Sequence, residues 1–391
     1  TKAEEPLLNK NGLLGSGMYY EYRTDDARLT MEVLKTAVHY GAQAYNYTQV
    51  DNFIVEKDQI TGVVATDLIN NSKYKFTAKY VVNATGPWVD ELRKKNSEDL
   101  NKHLFLTKGV HLVFSQECIP LKHSMYFDAP DGRMVFAIKR EGKIYIGTTD
   151  TEYHDNKKSP VCTKEDKTYI LNAVNTMFKN LELNELHIES SWAGLRPLIH
   201  EKGKSPSELS RKDEVFIAEN GLISIAGGKL TAFRKMAQKI IDRIESKEKS
   251  FGVCKTDQIL LIGSIDSGAD GYGMLNAKLA TYKSKFTNNK NLLRLVNSYG
   301  NKSFDMMEKA TDDESLVFEE IDYCIKNESL EHLADYYSRR SGKILFAAEN
   351  LIKNHKNLLA HFTNRKGLSV TQISKEEKLF EQLKKETLVN L

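Results

Sequence analysis

The pattern of hydrophobic and polar positions changes at about residue 250. Before that point, short apolar runs alternate with polar residues, a period of two that is typical of strands. After it, apolar residues recur at the three- and four-residue spacing of amphipathic helices. We therefore predict a mixed α/β fold with a largely antiparallel sheet, followed by an all-α domain. The predicted boundaries are 1–248 for the first domain, 249–272 for a linker and 273–391 for the helical domain.

The local pattern predicts the individual elements. Asp25 or Asp26 can cap a helix that ends at Gly41, and its apolar face is predicted to comprise Leu29, Val33, Leu34 and Ala37. Strands are predicted at 42–50, 52–56, 60–68, 73–83 and in HLVF, MVFAI, KIYIGTT and IESSWAGLRPLI. Helices are predicted at 163–178 and in the C-terminal region, where LEHLADYYSRRSGKILFAAENLI (330–352) is predicted to be one continuous helix.

The stretch GLISIAGGKLTAFRKMAQKIIDRI (221–244) is predicted to form a strand, a glycine turn and a helix. Gly227 and Gly228 allow a sharp bend and a close approach of the backbone to a ligand. A helix start after such a turn offers unpaired N–H groups to an anion, and Lys229 adds a full positive charge. An ordinary strand–helix connection would carry the same glycines. The apolar stripe of the helix is predicted to be Leu230, Phe233, Ala237, Ile240, Ile241 and Ile244.

Composition and sequence motifs exclude several classes of function. The formal net charge of +3 over 391 residues and the absence of a basic block argue against a nucleic-acid partner. The four cysteines form no zinc or redox motif and predict a reducing, cytoplasmic compartment. We expect no metal site. No Gly-x-Gly-x-x-Gly follows a strand, and no P-loop or nucleophile elbow is present.

Basic residues in apolar strand contexts are the remaining candidates for chemistry. Arg196 lies between apolar neighbours, where an unpaired charge is costly, and either an internal carboxylate or a ligand would satisfy it. His111 is either a satisfied core histidine or an acid–base group. Arg211 is either a surface charge or a ligand contact. With Lys229 at the glycine turn, Arg196 and Arg211 could form a cationic pocket for a phosphate or carboxylate.

Eight segments in collinear order carry a resemblance to a known family. They are YYEYRTDDARLT (19–30), VVNATGPWVDEL (81–92), TKGVHLVF (107–114), DGRMVFAIKREGKIYIGTTDTEY (131–153), SSWAGLRPLI (190–199), SPSELSRKDEVF (205–216), AGGKLTAFRKMA (226–237) and HLADYYSRRSGKILF (332–346). Together they resemble the bacterial FAD-dependent glycerol-3-phosphate dehydrogenases and the related α-glycerophosphate oxidases. The likeness covers nearly the whole chain. It implies an amino-acid-oxidase-like flavin and substrate domain with a helical cap.

The resemblance implies oxidation of sn-glycerol 3-phosphate to dihydroxyacetone phosphate, with a hydride passing from C2 to FAD. It implies Arg196 and Lys229 as substrate contacts and Arg211 as a further cationic contact. His111 is the predicted acid–base group at the hydroxyl because its unperturbed pKa suits proton transfer near neutrality. The predicted cofactor-binding residues are Asn83, Ala84, Thr85, Gly86, Pro87, Trp88, Gly227, Gly228, Lys229, Leu230 and Thr231.

The chain departs from the family at its start. Family members begin with a strand–glycine loop–helix that binds the ADP part of FAD and with a Gly-Leu-Arg-Tyr segment near the active site. These are not in the 391 residues, so we expect this chain to lack the N-terminal FAD-binding segment and to bind FAD weakly by itself.

Three interpretations stay open from the sequence. The first is a dehydrogenase that passes electrons to a membrane quinone. It would work in the cytoplasm or at the inner face of the membrane, as a peripheral protein, and it could be a homodimer. The second is an oxidase that passes electrons to O2 and releases H2O2. The short loop at about residues 200–210 favours the dehydrogenase, since the oxidases carry an insertion there. The third is an inactive fragment of such an enzyme.

Overall fold

The computed structural model describes residues 1–95, 100–178, 180–201, 212–248, 250–265 and 270–389. Its strands are β1 (Thr48–Glu56), β2 (Gln59–Asp67), β3 (Lys73–Thr77), β4 (Val82–Asn83), β5 (Lys102–Ser115), β6 (Met125–Asp128), β7 (Met134–Arg140), β8 (Lys143–Gly147), β9 (Thr151–Glu152), β10 (Ile188–Glu201), β11 (Glu214–Ile217) and β12 (Ile223–Ala226). The helices are α1 (Asp26–His39), α2 (Val89–Lys94), α3 (Lys164–Met177), α4 (Phe233–Glu245), α5 (Gly271–Ala280), α6 (Asn289–Tyr299), α7 (Lys302–Lys309), α8 (Asp313–Asn327), α9 (Leu333–Asp335), α10 (Lys343–Phe346), α11 (Ala348–Lys366) and α12 (Val370–Thr387). The mixed α/β fold followed by a mostly helical C-terminal region is confirmed.

The main sheet has the strand order β10-β5-β8-β7-β6, with β9 also paired to β5, and all of these pairings are antiparallel. Alternation along each strand sends every second side chain to the same face. One face carries Val110, Leu112, Ile144 and Ile146, all completely buried. They form a core cluster with apolar residues of α3, including Ile170. The opposite face carries the candidate site.

A smaller sheet has the order β11-β12-β4. Strands β11 and β12 form an antiparallel hairpin, whereas β12 and β4 run parallel. The carboxyl ends of β4 and β12 therefore lie at one edge, where open α/β sheets bind their ligands. The buried side chains of Val89, Ile199 and Ala226 join this edge to the main sheet. A third sheet, β1-β2-β3, replaces the longer strands predicted at 42–50 and 73–83.

The C-terminal helices surround a second large core that includes Leu292, Leu295, Ile321, Tyr336 and Phe362. The single helix predicted at residues 330–352 is interrupted. After α9 the backbone forms a π-helical turn over Tyr336–Arg340, and Gly342 adopts the left-handed region with φ of 65°. Such a conformation suits glycine because a Cβ atom would clash with the backbone. Among the described residues, no helix is both long and apolar enough to cross a membrane.

Helix α1 packs on the C-terminal helices through charged groups. Asp25 caps α1, as predicted, by accepting a hydrogen bond from Arg28 N. The predicted apolar face is only partly confirmed, because Leu29 and Val33 are half-buried whereas Leu34 and Ala37 are exposed. The buried residues of α1 are Arg28, Lys35 and Thr36. The side chains of Arg28 and Lys35 contact Glu328 at 2.7 and 3.0 Å. The predicted domain boundaries at 249–272 stay a prediction.

Candidate functional site

The face of the main sheet opposite α3, which we call the site face, collects most of the predicted chemistry. In the β5–β10 register Arg196 lies opposite Thr107, and Trp192 lies opposite His111. His111 also lies opposite Gly147 of β8. Because side chains of directly opposed residues project to the same face, Arg196 and His111 share this surface.

His111 is held between aromatic rings. Its imidazole stacks on Trp192 with a centroid distance of 4.7 Å and an interplanar angle of 9°, and Tyr145 meets it edge-on at 6.1 Å. A Cβ atom at Gly147 would lie 2.3 Å from His111 Cδ2. Glycine at this strand position therefore makes room for the ring, as interior strand glycines often do.

Burial and the charge of Arg196 lower the pKa of His111 to about 4. The imidazole is therefore neutral near neutral pH and can accept a proton. Its Nδ1 atom is buried, as is Thr107 Oγ1, and neither atom makes a hydrogen bond to any residue that the structure describes. Since buried polar atoms normally have partners, the two atoms indicate a surface built to meet a polar ligand.

Arg196 is fixed by the chain that follows β8. Its Nη1 donates to Thr149 O and to Asp150 Oδ1 at 3.1 and 3.0 Å, and its Nη2 donates to Thr148 Oγ1 at 3.0 Å. A Cβ atom at Gly109 would lie 2.8 Å from Nη2. The internal carboxylate considered for Arg196 is therefore Asp150. The guanidinium has five N–H donors, so these three bonds leave capacity for an anion.

The lowered pKa of His111 predicts a pH-dependent stability. Between pH 4 and 6.5 the unfolded chain binds a proton at this position that the folded chain does not. The free energy of unfolding should therefore fall as the pH drops through this range. We expect His111→Asn to reduce the stability lost between pH 7 and pH 5 by about 1–2 kcal/mol.

Urea denaturation at the two pH values measures this difference. His154→Asn is the control, because the His154 side chain is 80% exposed. An identical loss of stability in the His111 variant and the wild-type chain would contradict the neutral, desolvated state of His111.

The turn after β4 is ordered by Asn83. Its buried side chain donates to Val89 O and Ser224 Oγ at 3.0 and 3.2 Å and accepts from Thr85 Oγ1 at 2.7 Å. The amide of Asn83 thus shapes the turn, whereas Ala84 and Thr85 are exposed at the sheet edge. Gly86, Pro87 and Trp88 follow as a short 3₁₀ turn.

The turn after β12 lies at the same edge. Gly227 and Gly228 have φ values of 76° and 79°, and a Cβ atom at Gly227 would lie 2.4 Å from Lys212 O and 2.9 Å from Ile199 Cδ1. Lys229 is exposed. The regular helix begins later than predicted, at Phe233, after a 3₁₀ turn over Leu230–Ala232.

The structure brings some predicted residues together. Arg196 and His111 are neighbours, and the turn of Lys229 touches β10 at Ile199, three residues beyond Arg196. Arg211 lies outside the described residues. The predicted stripe of α4 is only partly buried, because Ile240 and Ile244 face the core whereas Leu230, Phe233 and Ile241 are exposed.

Sequence reasoning missed Gly109, Gly147, Thr148 and Asp150. Glycines inside otherwise regular strands signal a close approach by another group, and Gly109 and Gly147 carried that signal.

Two features of the structure fit a flavin cofactor. The first is the pair of exposed turns at the carboxyl ends of the parallel strands β4 and β12, the position where α/β sheets hold their cofactors. The second is the pair of buried, unbonded polar atoms of Thr107 and His111 on the adjoining site face.

Comparison with known proteins agrees with this geometry. The FAD dependent oxidoreductase family matches residues 1–234. The aerobic glycerol-3-phosphate dehydrogenase of Bacillus subtilis (strain 168) is 45% identical over 381 residues, which cover 94% of this chain and 68% of that protein. The aerobic glycerol-3-phosphate dehydrogenase of Staphylococcus aureus (strain bovine RF122 / ET3-1) is 41% identical, with 99% of this chain and 72% of that protein covered.

A solved structure is also similar. The crystal structure of the glycerol-3-phosphate dehydrogenase from Bacillus halodurans complexed with FAD superimposes with a TM-score of 0.88 and 39% identity. The match covers 98% of this chain and 77% of that one. Sequence, topology and the paired turns thus lead to one assignment, and the chain belongs to the FAD-dependent aerobic glycerol-3-phosphate dehydrogenase family.

Proposed function

We propose that this chain, with FAD bound, oxidises sn-glycerol 3-phosphate to dihydroxyacetone phosphate. The observation that carries the proposal is the pairing of a fixed arginine, Arg196, with a neutral, buried histidine, His111, on one face of the main sheet. An arginine fork suits a phosphate, and a neutral imidazole suits the removal of a hydroxyl proton.

Arg196, with Lys229 and Arg211 as further cationic contacts, binds and orients the phosphate. Thr148 and Asp150 keep the guanidinium in one orientation, which reduces the entropy lost when the anion binds. Lys229 lies on the exposed turn at the cofactor edge, and we assign its charge to the same phosphate.

His111 accepts the proton of the C2 hydroxyl. FAD supplies the acceptor for the hydride that leaves C2. The charge of Arg196 lowers the pKa of His111 in the ligand-free protein. Binding a phosphate dianion beside Arg196 offsets that charge, so we expect the pKa of His111 to rise on binding and the imidazole to become a better base.

The test is activity with matched substrates. The FAD-loaded enzyme should reduce a quinone-like dye with sn-glycerol 3-phosphate and lose nearly all kcat/KM with glycerol, which lacks the phosphate. Equal use of glycerol and its 3-phosphate would overturn the phosphate role. Failure of both substrates with full flavin occupancy would favour the inactive fragment.

We expect Lys229→Ala to lower kcat/KM for glycerol 3-phosphate by about 10- to 30-fold, since an exposed cation is screened by solvent. FAD occupancy, measured by flavin absorbance, should change little because the charge is assigned to the phosphate. Lys75→Ala on the exposed strand β3 is the control. An unchanged kcat/KM in the Lys229 variant would remove this residue from the phosphate site.

We further propose a membrane quinone as the electron acceptor and a peripheral contact with the membrane. Helix α4 supports this, since two apolar side chains there, Phe233 and Ile241, are 36% and 50% exposed. Basic residues flank them at Arg234, Lys235 and Arg243, a combination that favours an anionic lipid surface. Quinone-dye reduction without peroxide release supports a dehydrogenase, and stoichiometric H2O2 would support an oxidase. A homodimer stays a proposal.

A further inference from the structure

We infer that Phe346, on the helical domain, is a positioning residue for the candidate active site, where it holds Trp192 and through Trp192 the catalytic His111. The inference rests on the proposed role of His111. If the inference is correct, a residue of the C-terminal helices helps to position the side chains on the site face.

Phe346 covers the outer side of the aromatic cluster. It is 6% exposed, and its ring lies 6.0 Å from Trp192 and 6.1 Å from Tyr145, edge-on to both. Trp192 in turn stacks on His111. The Arg140 guanidinium lies 4.3 Å from the Phe346 ring centroid. Phe346 is thus packed on more than one side by residues of the main sheet.

The short helix α10 is anchored on both sides, so Phe346 has little freedom to move. Towards the sheet, Ser190 Oγ donates to Leu345 O at 2.7 Å. Towards the helical core, Lys343 Nζ donates to Tyr336 OH at 3.2 Å and lies 3.6 Å from the buried Glu320 carboxylate. Because the Phe346 ring is fixed in this way and the interior is closely packed, it restricts the orientation of the Trp192 ring that it contacts.

The physical consequence of removing the Phe346 ring concerns the packing around Trp192. Without the Phe346 ring, the indole loses an edge-to-face partner and gains room, and water can approach His111. Within the described ranges, the charged and titratable groups that face His111 are Arg196 from β10 and Tyr145 from β8, with Arg140 of β7 beyond Phe346. Replacing Phe346 removes none of these charged or titratable groups, so a change in the titration of His111 reports its packing and hydration.

The experiment compares Phe346→Leu with Phe380→Leu. Phe380 is a matched control because it is 3% exposed in the same helical domain and packs on Tyr337 and His355 instead of the sheet. The chain contains two tryptophans, so 5-fluorotryptophan labelling gives two ¹⁹F resonances, and Trp88 serves as an internal reference. The pKa of His111 is followed by NMR in the same samples.

We expect Phe346→Leu to shift the Trp192 resonance, to raise the pKa of His111 towards 6.5, and to lower kcat about 10- to 100-fold with KM within about twofold. Phe346→Tyr, which keeps the ring, should restore all three values. Phe380→Leu should change only the melting temperature.

An unshifted Trp192 resonance and His111 pKa in folded Phe346→Leu would overturn the inference, whatever the activity. The two spectroscopic measurements need no turnover, so they separate this inference from the proposed function. If they shift while the substrate proves to be wrong, the positioning role stands and the reaction assignment fails.

Discussion

Replacing Arg196 with leucine is expected to lower kcat/KM for sn-glycerol 3-phosphate by about 10²–10³-fold. On the site face, Thr148, Thr149 and Asp150 fix the guanidinium of Arg196. A leucine removes the anion contact and leaves the Asp150 carboxylate, which is 35% exposed, without its cation. That carboxylate would then repel the phosphate and enlarge the loss.

Three measurements separate this effect from a general loss of structure. Arg365→Leu is the control, since Arg365 is 54% exposed and pairs with Asp322 on the C-terminal helices. It should change kcat/KM by less than about twofold. Removing the charge of Arg196 should also let the pKa of His111 rise, because that charge is one of the two causes that lower it. If kcat/KM falls equally with glycerol and with its phosphate, Arg196 does not bind the phosphate.

Glu328→Gln is expected to destabilise the protein by about 3–5 kcal/mol. The Glu328 carboxylate is completely buried and contacts Arg28, Lys35 and Arg340. Burial opposes ionisation of Glu328, but Arg28 and Lys35 hold its pKa below the ordinary range. A neutral amide keeps the shape of the side chain and leaves three cations close together with less negative charge.

Chemical denaturation of both chains at pH 7 measures the effect. Glu381→Gln is the matched control, because Glu381 is 57% exposed and pairs with Lys384; it should cost no more than about 0.5 kcal/mol. The stability that Glu328 contributes should also be lost as the pH falls through its lowered pKa, since the carboxylate is then protonated in the folded state. A cost below 1 kcal/mol at Glu328 would contradict the ionic packing of α1.

The hydrophobic pattern predicted those parts of the fold that bury one apolar face. The 3.6-residue period identified the helices of the C-terminal region, and Asp25 and Gly41 bounded α1. The pattern could not predict the buried face of α1, because Arg28 and Lys35 are polar in the sequence and become buried only through Glu328, about 300 residues away. Nor could it predict the break after Arg340, since the segment keeps a helical pattern through Gly342.

Only some residues of the candidate site were predicted, because the others depend on contacts between residues that are distant in the sequence. Arg196 and His111 were found because a charged or titratable group inside an apolar strand needs an explanation. The phosphate role of Arg196 and Lys229 came from the family resemblance. Asp150 and Phe346 were missed because each acts through a contact made by the tertiary fold, and nothing in their local sequence marks it.

The charged contact between α1 and the C-terminal helices also determines how the molecule would respond to a cut in its chain. Helix α1 belongs by sequence to the first region, yet its buried groups are neutralised by Glu328 in the second. A protease that nicks the segment 250–265 would therefore leave two polypeptides that elute together from a sizing column. Protonation of Glu328 at low pH, or a denaturant, would weaken their association. An intact chain between the two regions is therefore not needed to hold them together, and we expect the two regions to melt as a single cooperative unit.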